Sequence, residues 1–168
     1  AYTICMWVKG FPQPDYRIYN EGSDQNNSPL FTMGTEHSGS GDTLDIYIRT
    51  DSGSAVVSHV NSQQAVFDGS WHHIAWVDEA GDARLYVDGV LDGTDFSYNK
   101  QSLSLNVASI ACVLRAVPSH FFRGGIDDVA MWKRALTSDE IADLAAGMSP
   151  GAGLSYADAI GTDLSDEM

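Results

Sequence analysis

Residues 71–90 read WHHIAWVDEAGDARLYVDGV, and this stretch decides the fold. Side chains alternate between polar and apolar over residues 71–78 and again over residues 83–90. A short Glu-Ala-Gly-Asp segment separates the two runs. Because alternation with a period of two is typical of strands, the stretch predicts a β-hairpin.

The polar residues of this stretch have structural explanations. The dipeptide Asp88-Gly89 tolerates the positive φ angles of a tight primed turn and predicts a second chain reversal directly after it. Asp82 and Asp88 are therefore interpreted as turn residues rather than catalytic acids. Neighbouring strand residues point to opposite faces, so His72 and His73 are not expected to bind one metal ion together. The other histidines are isolated in the sequence: His37, His59 and His120.

Composition excludes several classes of function. The chain has 168 residues, 43% of them hydrophobic and 19% charged, which suits one globular domain. Nine basic and 23 acidic residues give a formal net charge of -14, which repels phosphate groups and argues against a nucleic-acid partner. No window approaches the roughly 20 apolar residues of a membrane-spanning segment. The chain begins at Ala1 without an initiator Met or signal-like segment, which we interpret as typical of a processed, exported protein.

The rest of the chain contains many short alternating runs. Strands are predicted at residues 2–8, 30–33, 44–49, 55–60, 103–107, 109–115 and 129–132. Gly, Asp and Ser turns bound these runs, and such spacing predicts an antiparallel sandwich. The polar stretch 22–29 is a loop by composition and contains a glycosylation sequon at Asn26.

One helix is predicted near the carboxyl end. Thr137 and Glu140 have the spacing of a capping box, in which the first residue caps the helix and the second reaches back to it. An apolar face begins at Ile141, and Gly147 and Pro150 end the helix.

Four motifs occur in order along the chain: YTICMWVK at 2–9, FDGSWHHIAWV at 67–77, RLYVDGVLDG at 84–93 and GGIDDVAMWKRALTSDEIADL at 124–144. Together they resemble the laminin-G-like, concanavalin A-like jelly-roll family over about residues 2–146. The resemblance implies two stacked antiparallel sheets that hold glycans or proteins outside the cell or at its surface, sometimes with calcium. We therefore predict an all-β jelly-roll sandwich with one short C-terminal helix in a domain of residues 1–148.

The sequence departs from the family pattern at its amino end. Family members carry one or two strands before the segment that resembles YTICMWVK, so the sandwich is predicted to lack its usual first strand. Such a gap exposes an unpaired sheet edge. Residues 149–168 form a small-residue hinge and a strand-capable tail, which can fill the gap in its own domain or in a neighbouring copy. The predicted anchors of this donor strand are its large apolar residues, Leu154, Tyr156 and Ile160.

Candidate ligand-binding residues are of two kinds. Calcium takes six to eight oxygen ligands, and acidic loop residues that this family gathers at one edge can supply them. The candidates for calcium are Asp24, Glu36, Asp42 and Asp45. Aromatic rings in loops can stack on the C–H face of a sugar. The candidates for glycan stacking are Phe11, Tyr16, Tyr19 and Tyr98.

No catalytic constellation is found. Glucan-cleaving members of the resembled family carry Glu and Asp two residues apart on one strand, and this pattern is absent here. Asp127 and Asp128 are adjacent, so alternation predicts that they face opposite ways. Cys5 and Cys112 lie in alternating segments, which leaves one disulfide or two buried thiols as alternatives.

These observations favour a non-catalytic extracellular or cell-surface module. Our first hypothesis is that the module self-assembles into a homopolymeric fibre or array by strand complementation between copies. The alternative is a lectin-like glycan-binding module for adhesion, with calcium as a possible aid.

Overall fold

The structure is a computed structural model, and it describes residues 1–147. Two antiparallel five-stranded sheets pack as a sandwich, and one short helix follows the last strand. In chain order the elements are β1 (Tyr2–Gly10), β2 (Arg17–Gly22), β3 (Leu30–Thr35), β4 (Thr43–Arg49), β5 (Ala55–Ala65), β6 (Trp71–Glu79), β7 (Asp82–Val87), β8 (Val90–Leu91), β9 (Val107–Ile110), β10 (Gly124–Trp132) and α1 (Ser138–Ala145). The order is β10-β1-β6-β7-β8 in the first sheet and β5-β4-β3-β2-β9 in the second sheet. The predicted all-β sandwich with one C-terminal helix is confirmed.

The β-hairpin predicted for residues 71–90 forms as predicted. Strands β6 and β7 pair antiparallel, and the turn between them places Ala80 and Gly81 at φ angles of 56° and 97°. Asp88 and Gly89 have φ angles of 51° and 81° and lead directly into β8. Both reversals therefore use the left-handed backbone conformations that glycine and aspartate tolerate best.

The core lies between the inward faces of the two sheets. Alternate residues of β1, namely Ile4, Met6 and Val8, are fully buried and face the interior. Trp76 of β6 packs against Phe31 of β3, with ring centroids 5.7 Å apart. Each large apolar side chain buried in this way stabilises the fold by roughly 1.5–3 kcal/mol.

Helix α1 covers one end of the outward face of the first sheet. The Thr137 hydroxyl accepts a hydrogen bond from the Glu140 amide, and the Glu140 carboxylate accepts one from the Thr137 amide, so the predicted capping box is confirmed. Ile141 is fully buried in a cluster with Cys5 and Trp132. Within the described part of the chain, no helix is both long and apolar enough to span a bilayer.

Three strands differ from the predicted ones. The strand β2 was not predicted, because a register shift between Arg17 and Tyr19 puts the adjacent residues Ile18 and Tyr19 both in the core and destroys the alternation. The strands predicted at residues 103–107 and 109–115 are wrong, since the four residues of β9 form the one strand there, apart from an isolated bridge between Val113 and Ser119. The strand β10 begins at Gly124 rather than at residue 129.

The edges of the first sheet bear on the predicted missing strand. Strand β1 is paired on both sides, with β10 and with β6. Within residues 1–147, β10 is an edge strand, and its half-buried Ile126, Val129 and Met131 pack against the core. The predicted donor-strand anchors lie outside the described residues: Leu154, Tyr156 and Ile160. Donation of a strand therefore stays a prediction.

The two cysteines are free thiols on opposite sides of the sandwich. Cys5 lies on the outward face of the first sheet, where burial raises the pKa of its thiol to about 12. Cys112 follows β9 of the second sheet. The structure therefore contradicts the disulfide alternative, because it contains both cysteines as free thiols.

Candidate functional site

A groove on the outward face of the first sheet is lined by Trp7, Trp71, Asp127 and Asp128 and has a volume of 320 Å³. We call it the tryptophan groove. It occupies the end of this face that helix α1 leaves uncovered. It combines aromatic and carboxylate side chains within a single recess open to solvent.

The indole of Trp71 lies across the sheet. Trp71 on β6 is opposite Lys9 on β1, and Lys9 is opposite Gly125 on β10. A Cβ atom placed on Gly125 would be 2.5 Å from Cη2 of Trp71. Because Gly125 has no side chain, the ring can cross β1 and rest on the neighbouring strand. Trp71 remains 45% exposed, so it presents a broad aromatic surface to solvent.

The acidic side of the groove depends on a β-bulge. Alternation predicted that Asp127 and Asp128 face opposite ways, and this prediction is wrong because both line the groove. The β1–β10 register shifts between Cys5 and Trp7, and Asp128 has a φ angle of 47°. Both carboxylates are exposed and can accept hydrogen bonds from hydroxyl groups.

His73 lies beside the groove as a neutral side chain. Its ring meets Trp7 edge-on, with centroids 5.5 Å apart, and the residue is 2% exposed. Burial lowers the pKa of His73 to about 4, so the imidazole is uncharged at neutral pH. As predicted, its neighbour His72 faces the other way and contacts Asp68 and Asp88 instead. The pKa of His72 is raised, because those two carboxylates outweigh the opposing effect of burial.

A second group of polar residues gathers on the outward face of the second sheet. Asp15 precedes β2, His37 follows β3 and His59 lies in β5, yet their potential ligand atoms are all within 4.8 Å of one another. We call this the histidine cluster. The interpretation of these histidines as isolated was wrong, because strand pairing brings together positions that are far apart in the sequence.

A buried ion-pair network holds the histidine cluster in place. Asp45 is fully buried, accepts a hydrogen bond from Arg17 Nη1 at 2.5 Å and contacts His59 Nδ1 at 3.1 Å. Arg17 also contacts the Asp15 carboxylate. The His59 ring is stacked on Tyr47, with centroids 4.6 Å apart. A buried charge pair of this kind is costly to break, which makes the arrangement rigid.

His120 connects this cluster to a serine. Its Nε2 is 3.1 Å from Asp15 Oδ2, and its Nδ1 is 2.8 Å from Ser119 Oγ. These residue types match those of a hydrolase triad. However, Ser119 is the sequence neighbour of His120, and Arg17 already holds the Asp15 carboxylate. The pKa of His120 is lowered, chiefly by burial.

The four aromatic residues predicted to stack on glycans do not form one site. Tyr19 is 2% exposed and packs against Phe31, so its prediction is corrected: the ring belongs to the core. Tyr98 is half-buried and donates a hydrogen bond to Asp78 at 2.6 Å. Tyr16 is half-buried, whereas Phe11 is an exposed side chain near Gly69.

The four acids predicted to bind calcium do not converge. Asp24 follows β2 and pairs with Asn106, whereas Glu36 and Asp42 lie in the loop after β3. These two ends of the β2–β3 pair are separated by the length of a six-residue strand, roughly 20 Å. Both oxygens of Asp45 are occupied by Arg17 and His59. The prediction that these four acids bind one calcium ion together is therefore wrong.

Two further recesses were found in the described residues. An apolar cavity of 470 Å³ opens between the sheets and includes Tyr2, Phe31 and Met131 in its lining. A second groove, of 490 Å³, includes Asn26 and Arg115 in its lining. Asn26 is exposed, and its glycosylation stays a prediction.

Trp7 and Trp71 were not predicted as binding residues, because both lie in regular strands, where aromatic residues usually fill the core. One available signal was the pair Gly124-Gly125 in the last strand. Glycine in a strand marks a place where another group approaches the backbone closely.

An antiparallel five-on-five sandwich with a single accessory helix is an architecture shared by lectin-like β-sandwich proteins. Within that class the chain belongs to the concanavalin A-like lectin/glucanases superfamily, whose family model matches residues 1–142. No curated protein matches the chain.

Solved structures support this fold at low sequence identity. A CBM40 of the Ruminococcus gnavus IT-sialidase, bound to alpha2,3 sialyllactose, has a TM-score of 0.67 and 16% identity, covering 86% of this chain and 81% of that one. The native heptameric SAP-like pentraxin of Limulus polyphemus has a TM-score of 0.63 and 21% identity, with 86% and 69% covered. Domain 4 of the extracellular arabinanase AbnA from Geobacillus stearothermophilus, in complex with arabinotriose, has a TM-score of 0.56 and 19% identity, with 86% and 66% covered.

Proposed function

We propose that this chain is a non-catalytic, extracellular glycan-binding module whose binding site is the tryptophan groove. One observation carries the proposal: the Trp71 indole lies across the sheet over Gly125 and is 45% exposed. A solvent-facing aromatic surface supported by backbone is the feature on which the C–H face of a sugar ring stacks. The glycan ligands of two structural neighbours, sialyllactose and arabinotriose, are consistent with this class of ligand.

The polar part of the groove favours uncharged sugars. Asp127 and Asp128 line it, and neutral His73 adds no positive charge beside it. Carboxylates accept hydrogen bonds from sugar hydroxyl groups and repel carboxylated sugars. The net charge of -14 acts in the same direction. The module is therefore expected to prefer neutral oligosaccharides to sialylated ones.

A glycan array followed by calorimetry tests the site. The Trp71→Ala and Trp7→Ala variants should each weaken binding of a neutral oligosaccharide about 5- to 150-fold, since stacking and burial of an aromatic ring contribute on the order of 1–3 kcal/mol. Phe121→Ala is the matched control, because Phe121 is also an exposed aromatic residue, at 57%, but does not line the groove. Lactose should bind at least as well as sialyllactose.

Two results would overturn the proposal. One is the absence of binding to every neutral glycan on the array. The other is binding that is equally affected by Trp71→Ala and Phe121→Ala. Release of acetate from an acetylated glycan, lost on Ser119→Ala, would instead show that the chain is an esterase that uses the Ser119–His120–Asp15 contacts.

A second candidate function is self-assembly by strand complementation. The favouring observation is the edge strand β10, whose Ile126, Val129 and Met131 are half-buried, with Met131 lining the apolar cavity of 470 Å³. An extended segment that paired with this edge would complete the backbone hydrogen bonds and cover these side chains. The tail sequence offers Tyr156 and Ile160 on one side of a period-two register, with Ser155 on the other.

Light scattering and negative-stain microscopy test this candidate. Removal of residues 151–168 should abolish polymers, and Tyr156→Asp or Ile160→Asp should weaken assembly far more than the control Ser155→Asp. A full-length chain that stays monomeric at high concentration argues against it, as does an equal effect of the three substitutions.

A further inference from the structure

We propose that the histidine cluster is a binding site for one first-row transition-metal dication of the Zn²⁺ class. The site is separate from the tryptophan groove, because it lies on the outward face of the other sheet. The three ligands would be Asp15, His37 and His59. Their potential ligand atoms already lie within 4.8 Å of one another.

The Asp15–His37 distance is typical of two ligands of one ion. His37 Nδ1 is 3.6 Å from Asp15 Oδ1, which is longer than an N–H···O hydrogen bond of about 2.7–3.2 Å. Two ligands that are each about 2.1 Å from a tetrahedral ion lie about 3.4 Å apart. The two groups are therefore close without being hydrogen-bonded to each other, and Asp15 Oδ1, which also contacts Arg17, retains a second lone pair for an ion.

His59 is oriented as metal-binding histidines are. Its Nδ1 is 3.1 Å from Asp45 Oδ2, and a neutral ring that donates from Nδ1 carries its lone pair on Nε2. Asp45 itself is fully buried and held by Arg17. A buried carboxylate behind a histidine fixes the tautomer and ring orientation of the ligand and raises its basicity.

The other contacts of the His59 ring limit its movement further. Tyr47 stacks on this ring at 4.6 Å, and the His37 ring lies 4.0 Å from it. The Asp15 carboxylate also contacts His120 Nε2, at 3.1 Å. These contacts restrain the His59 ring and the Asp15 carboxylate before any ion binds, which lowers the entropic cost of binding.

Ligand type and charge select the metal. Two imidazole nitrogens and one carboxylate suit Zn²⁺, Ni²⁺, Co²⁺ or Cu²⁺, whereas Ca²⁺ requires six to eight oxygen ligands. The carboxylates of Asp15 and Asp45 together with the guanidinium of Arg17 leave an excess of one negative charge for a dication to neutralise. The His37 side chain is 60% exposed, so the remaining coordination positions face solvent.

Calorimetry and cobalt spectroscopy test the proposal. Protein without a polyhistidine tag is dialysed against a chelator and titrated with ZnCl₂, and with CoCl₂ while visible absorption is recorded. We expect one ion per chain, a cobalt d–d band, and no competition from CaCl₂. His37→Ala and His59→Ala should each weaken Zn²⁺ binding at least about tenfold and remove the band. The matched control is His72→Ala, because His72 also pairs with carboxylates but lies in the first sheet.

Several outcomes would overturn this inference. The wild-type chain could show no saturable Zn²⁺ binding. Zn²⁺ binding could also be unchanged in both His37→Ala and His59→Ala, or it could be lost in His72→Ala instead. Because the His37 side chain is mostly exposed, His37→Ala keeps the test valid even if His59→Ala fails to fold. Glycan binding measured in the same variants distinguishes the two proposals. Loss of the metal site should leave glycan binding unchanged, and loss of the tryptophan groove should leave Zn²⁺ binding unchanged.

Discussion

Replacing Asp78 with Asn should lower the free energy of unfolding by about 2–4 kcal/mol at pH 7. Asp78 is fully buried at the end of β6. Its carboxylate accepts hydrogen bonds from Tyr98 Oη at 2.6 Å, Lys100 Nζ at 2.7 Å and the Gly81 amide at 2.8 Å. These contacts fasten the segment after β8 to the β6–β7 turn.

The magnitude follows from the bonds that asparagine cannot keep. The Gly81 bond survives, because asparagine retains one carbonyl oxygen. The Tyr98 bond to a charged acceptor contributes about 1.5–3 kcal/mol. The Lys100 pair contributes less, about 0.5–1 kcal/mol, because the lysine side chain is 34% exposed and solvent screens it.

Urea unfolding followed by tryptophan fluorescence measures the difference. Glu79→Gln is the neighbouring control: Glu79 pairs with Arg84 at the surface, so its loss should cost less than about 1 kcal/mol. Acid provides a second check. The pKa of Asp78 is lowered because the hydrogen bonds from Lys100, Tyr98 and Gly81 outweigh burial. Its stabilising contribution is therefore complete above the unfolded-state pKa of about 3.9 and is lost as the pH falls through the lower folded-state pKa.

The reasoning is refuted if Asp78→Asn and Glu79→Gln destabilise the chain equally. It is also refuted if the gap between wild type and Asp78→Asn stays constant down to the lowest pH at which the native chain persists.

Three further predictions concern other parts of the structure. Burial lowers the pKa of His73 to about 4, so below pH 6.5 the unfolded chain takes up a proton on this histidine that the folded chain does not. The free energy of unfolding of the wild-type chain should therefore fall by about 3 kcal/mol between pH 6.5 and pH 4. In denaturation curves, His73→Gln should reduce this dependence on pH. Thr137→Ala should cost about 1 kcal/mol by loss of the capping box, measured against Ser138→Ala as the control. Gly125→Ala should displace the Trp71 ring and so reduce the affinity for a neutral glycan at least about tenfold in calorimetry. The free energy of unfolding should change by less than about 1 kcal/mol, because the Trp71 side chain lies at the surface and can move aside.

The elements that the sequence predicted correctly are those whose information is local. The β6–β7 hairpin has uninterrupted alternation and two turns with glycine at a position of positive φ. The helix has its cap and its N3 partner three residues apart. Short-range sterics and hydrogen bonding are sufficient to specify both.

Strand β2 shows where local information fails. Ile18 and Tyr19 are adjacent and both face the core, because the backbone bulges between Arg17 and Tyr19 opposite β3. The pattern of this segment is neither a strand pattern nor a helix pattern when read alone. Only the partner strand explains it.

Both candidate sites depend on the same kind of non-local departure from a regular strand. A regular strand presents every second residue to one face; a bulge adds a side chain to that face and a glycine removes one. The bulge at Asp128 brings a second carboxylate into the tryptophan groove, and Gly125 makes room for Trp71. In the second sheet, His59 sits at a bulge with a φ angle of 53°, and Gly34 lets Arg17 lie against the sheet. Since each effect is set by the register with a distant strand, the residue types were visible in the sequence but their convergence was not.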